Sequence, residues 1–138
     1  MSISLSPGAG ALMLTFGVLL GNVVVGVASA QTSWVAPEAE KARRNPLAND
    51  SKAIEQGEKV AKTNCVSCHG AKGKGDGAAA AALNPKPADW TSQKVQAESD
   101  GEIFWKISNG RGAMPPWKHL AENDRWALIR YIRSLGGK

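Results

Sequence analysis

The sequence predicts an all-α domain, and three observations carry that expectation. The stretch from Ala121 to Leu135 places Leu128, Tyr131, Ile132 and Leu135 on one helical face. Ser99-Asp100-Gly101-Glu102 has the spacing of a capping box, with Ile103, Phe104 and Ile107 following it. Nothing alternates with period two over a useful length, so strands are not expected. The chain has 138 residues, with 17 Lys+Arg against 12 Asp+Glu and a net charge of +5. That size allows one small domain, or two at most, and excludes a multi-domain enzyme.

Residues 1–30 contain no Asp, Glu, Lys or Arg, and 18 of them are hydrophobic. The apolar run from Ala9 to Ala28 ends in Ala28-Ser29-Ala30, a small-x-small pattern that reads as an export signal cleaved after Ala30. An uncleaved anchor is the alternative, since about 20 apolar residues span a bilayer. Against it, the nearest basic cluster, Lys41, Arg43 and Arg44, would lie on the translocated side. Both readings put the rest of the chain outside the cytoplasm: in the periplasm, or anchored to the inner membrane and facing the periplasm. Membrane association is expected only if this segment is retained.

Residues 31–50 hold two Pro, mixed charge and few large apolar residues, and read as an extended arm or linker. The folded domain is expected over 51–138. A first helix begins near Asp50 or Ser51, with Ile54, Gly57, Val60, Ala61 and Asn64 along one side, and delivers the chain to Cys65. Between His69 and Trp90, four Gly, two Pro and the run Ala78 to Ala82 indicate a loop with one short helical turn. The capping box opens a helix over about Gly101 to Ser108, stopped by Asn109-Gly110. In the last helix Glu122 and Asp124 occupy the first turn, Arg130 and Arg133 lie towards the end, and Gly136-Gly137 terminates it.

The chemistry lies in Cys65-Val66-Ser67-Cys68-His69, the c-type haem attachment signature. Two thiols three positions apart share a helix face and add across two porphyrin vinyl groups, and the next residue ligates iron. Rival readings each fail on something specific. A disulfide leaves the adjacent His unexplained, and a thioredoxin-like pair wants a βαβ context that this chain lacks. A zinc site has only Cys65, Cys68, His69 and His119 to draw on, and the neighbours Cys68 and His69 do not easily reach one tetrahedral ion.

Iron held by His69 needs a sixth ligand or an open position. After signal removal one Met remains, Met114, in the segment from Asn109 to Trp117. Glycines before it and two prolines after it make a loop that approaches a ring closely and then stiffens. Met114 lies on no apolar helix face, which sets ligation above core filling. His119 is the competing ligand, with an ordinary loop histidine as its plainer reading. An iron filled on both sides favours electron transfer over catalysis.

These residues resemble the small monohaem class I cytochromes c of bacteria. The likeness rests on Cys65 to His69 with the following stretch to Gly77, on Leu83-Asn84-Pro85-Lys86-Pro87, on Gly110 to Pro116 and on Tyr131 to Leu135. It implies three to four short helices around one haem c bound covalently through Cys65 and Cys68, with iron between His69 and Met114. It also implies a close helix crossing at Gly57 and Tyr131, and a backbone carbonyl of Pro85 or Pro87 accepting the second N–H of His69. The expected function is that of a one-electron carrier between exported or membrane-bound redox proteins, not an enzyme. A dedicated haem c subunit of a larger dehydrogenase or oxidase complex is the alternative, and an open-site haem protein binding gas or peroxide a further one.

Trp90, Trp105 and Trp117 are candidates to line the haem pocket, against plain core packing. Arg111 is a candidate to neutralise a propionate. Lys72, Lys74, Lys86, Arg111 and Lys118 come from loops expected near the haem, a basic rim fit to steer a redox partner with an acidic docking face. Nucleic acid is not an expected partner. From Ser51 onward only 19 of 88 residues are large apolar ones, a thin core that haem would fill.

Overall fold

The computed structural model describes residues 34–137. Among these residues six α-helices follow one another: α1 (Glu38–Lys41), α2 (Lys52–Asn64), α3 (Val66–His69), α4 (Gln93–Gln96), α5 (Asp100–Asn109) and α6 (Glu122–Leu135), with a 3-10 turn at Ala80–Ala82. Among the described residues there is no β-strand, only an isolated bridge between Arg111 and Met114. The all-α expectation holds. The expected export segment, residues 1–30, lies outside the described residues.

The long helices form where the patterning put them. Ser99 caps α5, its Oγ accepting from Glu102 N at 3.1 Å, and Gly110 ends that helix with φ 62°. α6 buries more than one face: Arg125, Trp126, Ala127, Leu128, Ile129, Tyr131 and Ile132 are all covered. Periodicity flags only the aliphatic stripe, but three neighbours surround this helix. α2 crosses it on one side. A Cβ added to Gly57 would stand 2.0 Å from the Ala127 carbonyl oxygen and 2.9 Å from Tyr131 Cβ, so the crossing at Gly57 and Tyr131 is present, and its tightest contact is the Ala127 backbone. On another side α5 stacks Phe104 on Trp126, with centroids 3.9 Å apart. Across the third runs the chain before α2, where Asn45 Nδ2 donates to the Trp126 carbonyl at 3.1 Å. Leu128, Ile129 and Ile132 at the centre each contribute about 1.5–3 kcal/mol by burial.

Residues 34–50 correct an expectation. Rather than an extended arm, this stretch turns once as α1 and packs on α5 and α6. Ser99 Oγ donates to the Lys41 carbonyl at 2.8 Å, and Gly101 lets the Glu40 carbonyl approach to where a Cβ would be 2.0 Å away. Arg43 bonds Glu122 at 2.6 Å and lies over the Phe104 ring, 4.5 Å from its centroid. Ala36 and Asn45 are buried. Carbonyls, a glycine and an arginine make these contacts, and a hydrophobicity reading registers none of them.

Helix α4 was not expected. It is held from outside by Arg133, which donates to the carbonyls of Val95 (3.2 Å), Gln96 (2.9 Å) and Glu98 and to Asp100 Oδ1 (2.8 Å). Read from sequence, Arg133 is a helix-end cation; in the fold it binds the α4–α5 connection to α6.

Candidate functional site

The site begins where α2 runs out. Cys65 N donates to the Ala61 carbonyl at 2.8 Å, closing α2, and at Cys65 the backbone turns to φ −120°. One turn of α3 follows, with Cys68 N and His69 N both donating to the Cys65 carbonyl, at 3.1 and 2.9 Å. The two free thiols and the imidazole therefore sit on one turn, as the motif spacing requires.

Four residues of helix leave their carbonyls without partners, and the glycine-rich loop supplies them. Gly75 N donates to His69 O (2.8 Å), Gly77 N to Cys68 O (3.1 Å) and Ala79 N to Ser67 O (2.9 Å). Folding back this tightly needs Gly70, at φ 78°, where a Cβ would lie 1.9 Å from Asp76 Oδ1. It needs Gly77 as well, whose Cβ would lie 2.4 Å from Ser67 O.

His69 is buried, 8% exposed, and its Nδ1 lies 3.0 Å from the Ala88 carbonyl oxygen. A carbonyl only accepts, so Nδ1 carries the proton and donates, and the Nε2 lone pair is left for a metal. Burial holds the imidazole below its ordinary pKa of 6.5, against the opposing pull of the Ala88 hydrogen bond. Neither Pro85 nor Pro87 accepts this bond, which corrects the expectation. The Pro87 carbonyl is packed against Gly75, where a Cβ would be 2.3 Å from its oxygen, and the acceptor is the next residue, Ala88. Burial, with Cys68 nearby, pushes the Cys65 thiol up to about 11.

Met114 sits in a tight turn. Arg111 N donates to Met114 O at 2.8 Å and Met114 N to Arg111 O at 3.0 Å, with Gly110 and Gly112 at positive φ around it. Trp117 N donates to Ile107 O at 3.0 Å, tying the far end of the Pro-Pro segment to α5. Met114 and Cys65 are both half-buried and pack against the same core cluster. His119 is exposed, its ring 5.3 Å from Trp117. Trp105 and Trp117 are half-buried, Trp90 is buried against His69, and Arg111 is exposed.

Together these side chains are two thiols, one imidazole with a free Nε2 and one thioether, a donor set that suits a covalently held haem with two axial ligands. Among the described residues, no three His, Cys, Asp or Glu side chains gather as they would around a bare ion. Sequence reasoning missed the Ala88 carbonyl, which no side chain signals, and the bridging role of Gln96. Its Nε2 donates to Trp90 O (2.6 Å) and Ile132 O (3.0 Å).

Comparison with known proteins identifies the family. Residues 52–132 match the family model described as cytochrome c oxidase, cbb3-type, subunit III. A cbb3-type cytochrome c oxidase subunit FixP from Bradyrhizobium diazoefficiens is 32% identical over 130 residues, covering 91% of this chain and 40% of that protein. The FixP subunit of Azorhizobium caulinodans is 30% identical over 127 residues, covering 91% of this chain and 39% of the relative. The chain thus spans about two fifths of the length of these relatives. Among solved structures, a Kuenenia stuttgartiensis reducing HAO-like protein complex superposes with a TM-score of 0.55 at 30% identity, over 62% of this chain and 44% of that one. The chain belongs to the cytochrome c family of cbb3-type oxidase subunit III, as a small class I monohaem domain whose cofactor is covalently bound haem c.

Proposed function

We propose that this domain transfers one electron at a time between exported or membrane-bound redox proteins, and that Cys65, Cys68, His69 and Met114 hold its haem. The bound group supplies the redox couple, its iron cycling between ferrous and ferric. The chain's residues do the rest. Cys65 and Cys68 would hold the macrocycle at α3 and its N-cap through two thioethers, and the Ala88 carbonyl keeps the His69 proton on Nδ1, leaving Nε2 available to the metal. The Arg111–Met114 turn would hold the thioether as the second ligand, and a bound Met114 would leave no open position for small molecules.

The observation that carries this reading is the commitment of His69 Nδ1 to Ala88 on the same turn as two free thiols. The FixP relatives are oxidase subunits by name, which favours a dedicated haem c subunit of an oxidase assembly over a freely diffusing carrier. The exposed Lys72, Lys74, Lys86, Arg111 and Lys118 suit a partner with an acidic face and raise the rate of encounter more than the affinity. The periplasm is the compartment this reading requires. Among the described residues no helix is long and apolar enough to cross a membrane.

Mass spectrometry of the denatured, exported protein tests the attachment, since it reports the N-terminus and the covalent haem together. Haem mass retained in the native protein and lost on replacing both Cys65 and Cys68 by Ala supports the assignment; a haem-free native chain overturns it. Avid carbon monoxide binding by the reduced protein at neutral pH would exclude the Met-closed site. Co-purification with an oxidase separates the subunit reading from a small free monomer.

A further inference from the structure

We infer that Trp90 is the positioning residue for the proximal ligand, holding the plane of the His69 imidazole through its own indole face. This rests on the reading that His69 ligates the haem iron. The two rings are stacked, with centroids 4.5 Å apart and planes 22° from parallel. The hydrogen bond to Ala88 fixes where Nδ1 points but leaves the ring free to tilt about that axis. A flat partner against its face removes the remaining freedom.

Trp90 is itself held by backbone hydrogen bonds on both sides and by close packing. Its backbone N–H donates to the Gly73 carbonyl at 2.7 Å, and its backbone carbonyl receives Gln96 Nε2 at 2.6 Å. The same Gln96 nitrogen donates to Ile132 O on α6 at 3.0 Å, so the stack is referenced to the longest helix of the domain. Gly73 is in close contact with the indole, since a Cβ there would lie 2.6 Å from Trp90 Cε3. Between Trp90 and Ala88 sits Asp89, whose Oδ1 receives both Thr91 N (2.8 Å) and Thr91 Oγ1 (2.7 Å) and locks the local turn. Three consecutive residues thus supply the hydrogen-bond acceptor, the rigid turn and the stacking plane for one histidine. The orientation of an axial imidazole sets how its π electrons meet the iron d orbitals, so this clamp tunes the electronics of the site as well as filling space.

The wild-type holoprotein gives a test that depends on no variant. In the reduced, diamagnetic state, nuclear Overhauser contacts should link the His69 and Trp90 ring protons, and their absence would overturn the inference. With Trp90→Leu, the low-spin ferric electron paramagnetic resonance signal should change its g anisotropy. The ferrous-to-ferric ratio at fixed potential should shift about threefold, while the Met-ligation band stays. Trp90→Phe, which keeps an aromatic plane, should restore most of both. A Leu variant with wild-type g values, or a Phe variant no better than Leu, overturns the positioning role while leaving His69 as ligand. A His69→Gln variant that keeps the wild-type low-spin signal overturns the ligand assignment and this inference with it.

Discussion

At His69 a single hydrogen bond decides which ring nitrogen faces the site, and its acceptor is a backbone carbonyl. That explains why His69 stands out in the sequence and its hydrogen-bond partner does not. Cys65, Cys68 and His69 announce themselves by residue type and spacing, and Met114 by its glycine and proline flanks. Every residue has a carbonyl, so choosing Ala88 over Pro85 or Pro87 requires the loop path, which Gly75 determines by packing on Pro87. Asp89 carries a prediction at this scale. The Thr91 hydroxyl, followed by the Thr91 backbone N–H, holds the Asp89 carboxyl below its ordinary pKa of 3.8. A depressed carboxylate pKa stabilises the fold above the unfolded value, and this stabilisation is lost as pH falls through the folded value. Asp89→Asn should therefore lower the urea midpoint at pH 7, and the gap to wild type should close as the pH is taken below 3.8. A gap that stays constant with pH would show that the charge is not what holds the turn.

Among the elements, α2, α5 and α6 were legible because apolar periodicity and capping chemistry agree there. The small pieces were not. Helix α4 exists because Arg133 reaches across from α6, and residues 34–50 are ordered because Gly101 and Ser99 receive the carbonyls of α1. Those are long-range polar contacts without a local pattern. The α2–α6 crossing offers the clearest mutational test. Gly57→Val would drive a branched side chain into the Ala127 carbonyl, and overpacking of this kind costs about 1–3 kcal/mol. Chemical denaturation of the haem-loaded protein should show that loss; an unchanged midpoint would mean that the helices can separate at no cost.

For the molecule as a whole, the informative feature is its shortage of large side chains. Of the 88 residues from Ser51 onward, 19 are large and apolar, and the buried cluster they form runs from Val60 to Ile132 with Cys65 and Met114 packed at its margin. A covalent haem held by Cys65, Cys68, His69 and Met114 would add apolar bulk there and tie the loops to the core. Replacing both Cys65 and Cys68 by Ala should leave an exported chain without fixed near-ultraviolet circular dichroism and without cooperative thermal unfolding. A cooperative apoprotein would show that the side chains suffice alone. The central claim is a haem closed by His69 on one side and Met114 on the other. The most direct test is the weak near-infrared sulfur-to-iron band of the oxidised protein: it should be present in wild type and absent from Met114→Ala, and its persistence in the variant, or its absence from wild type, would contradict the account.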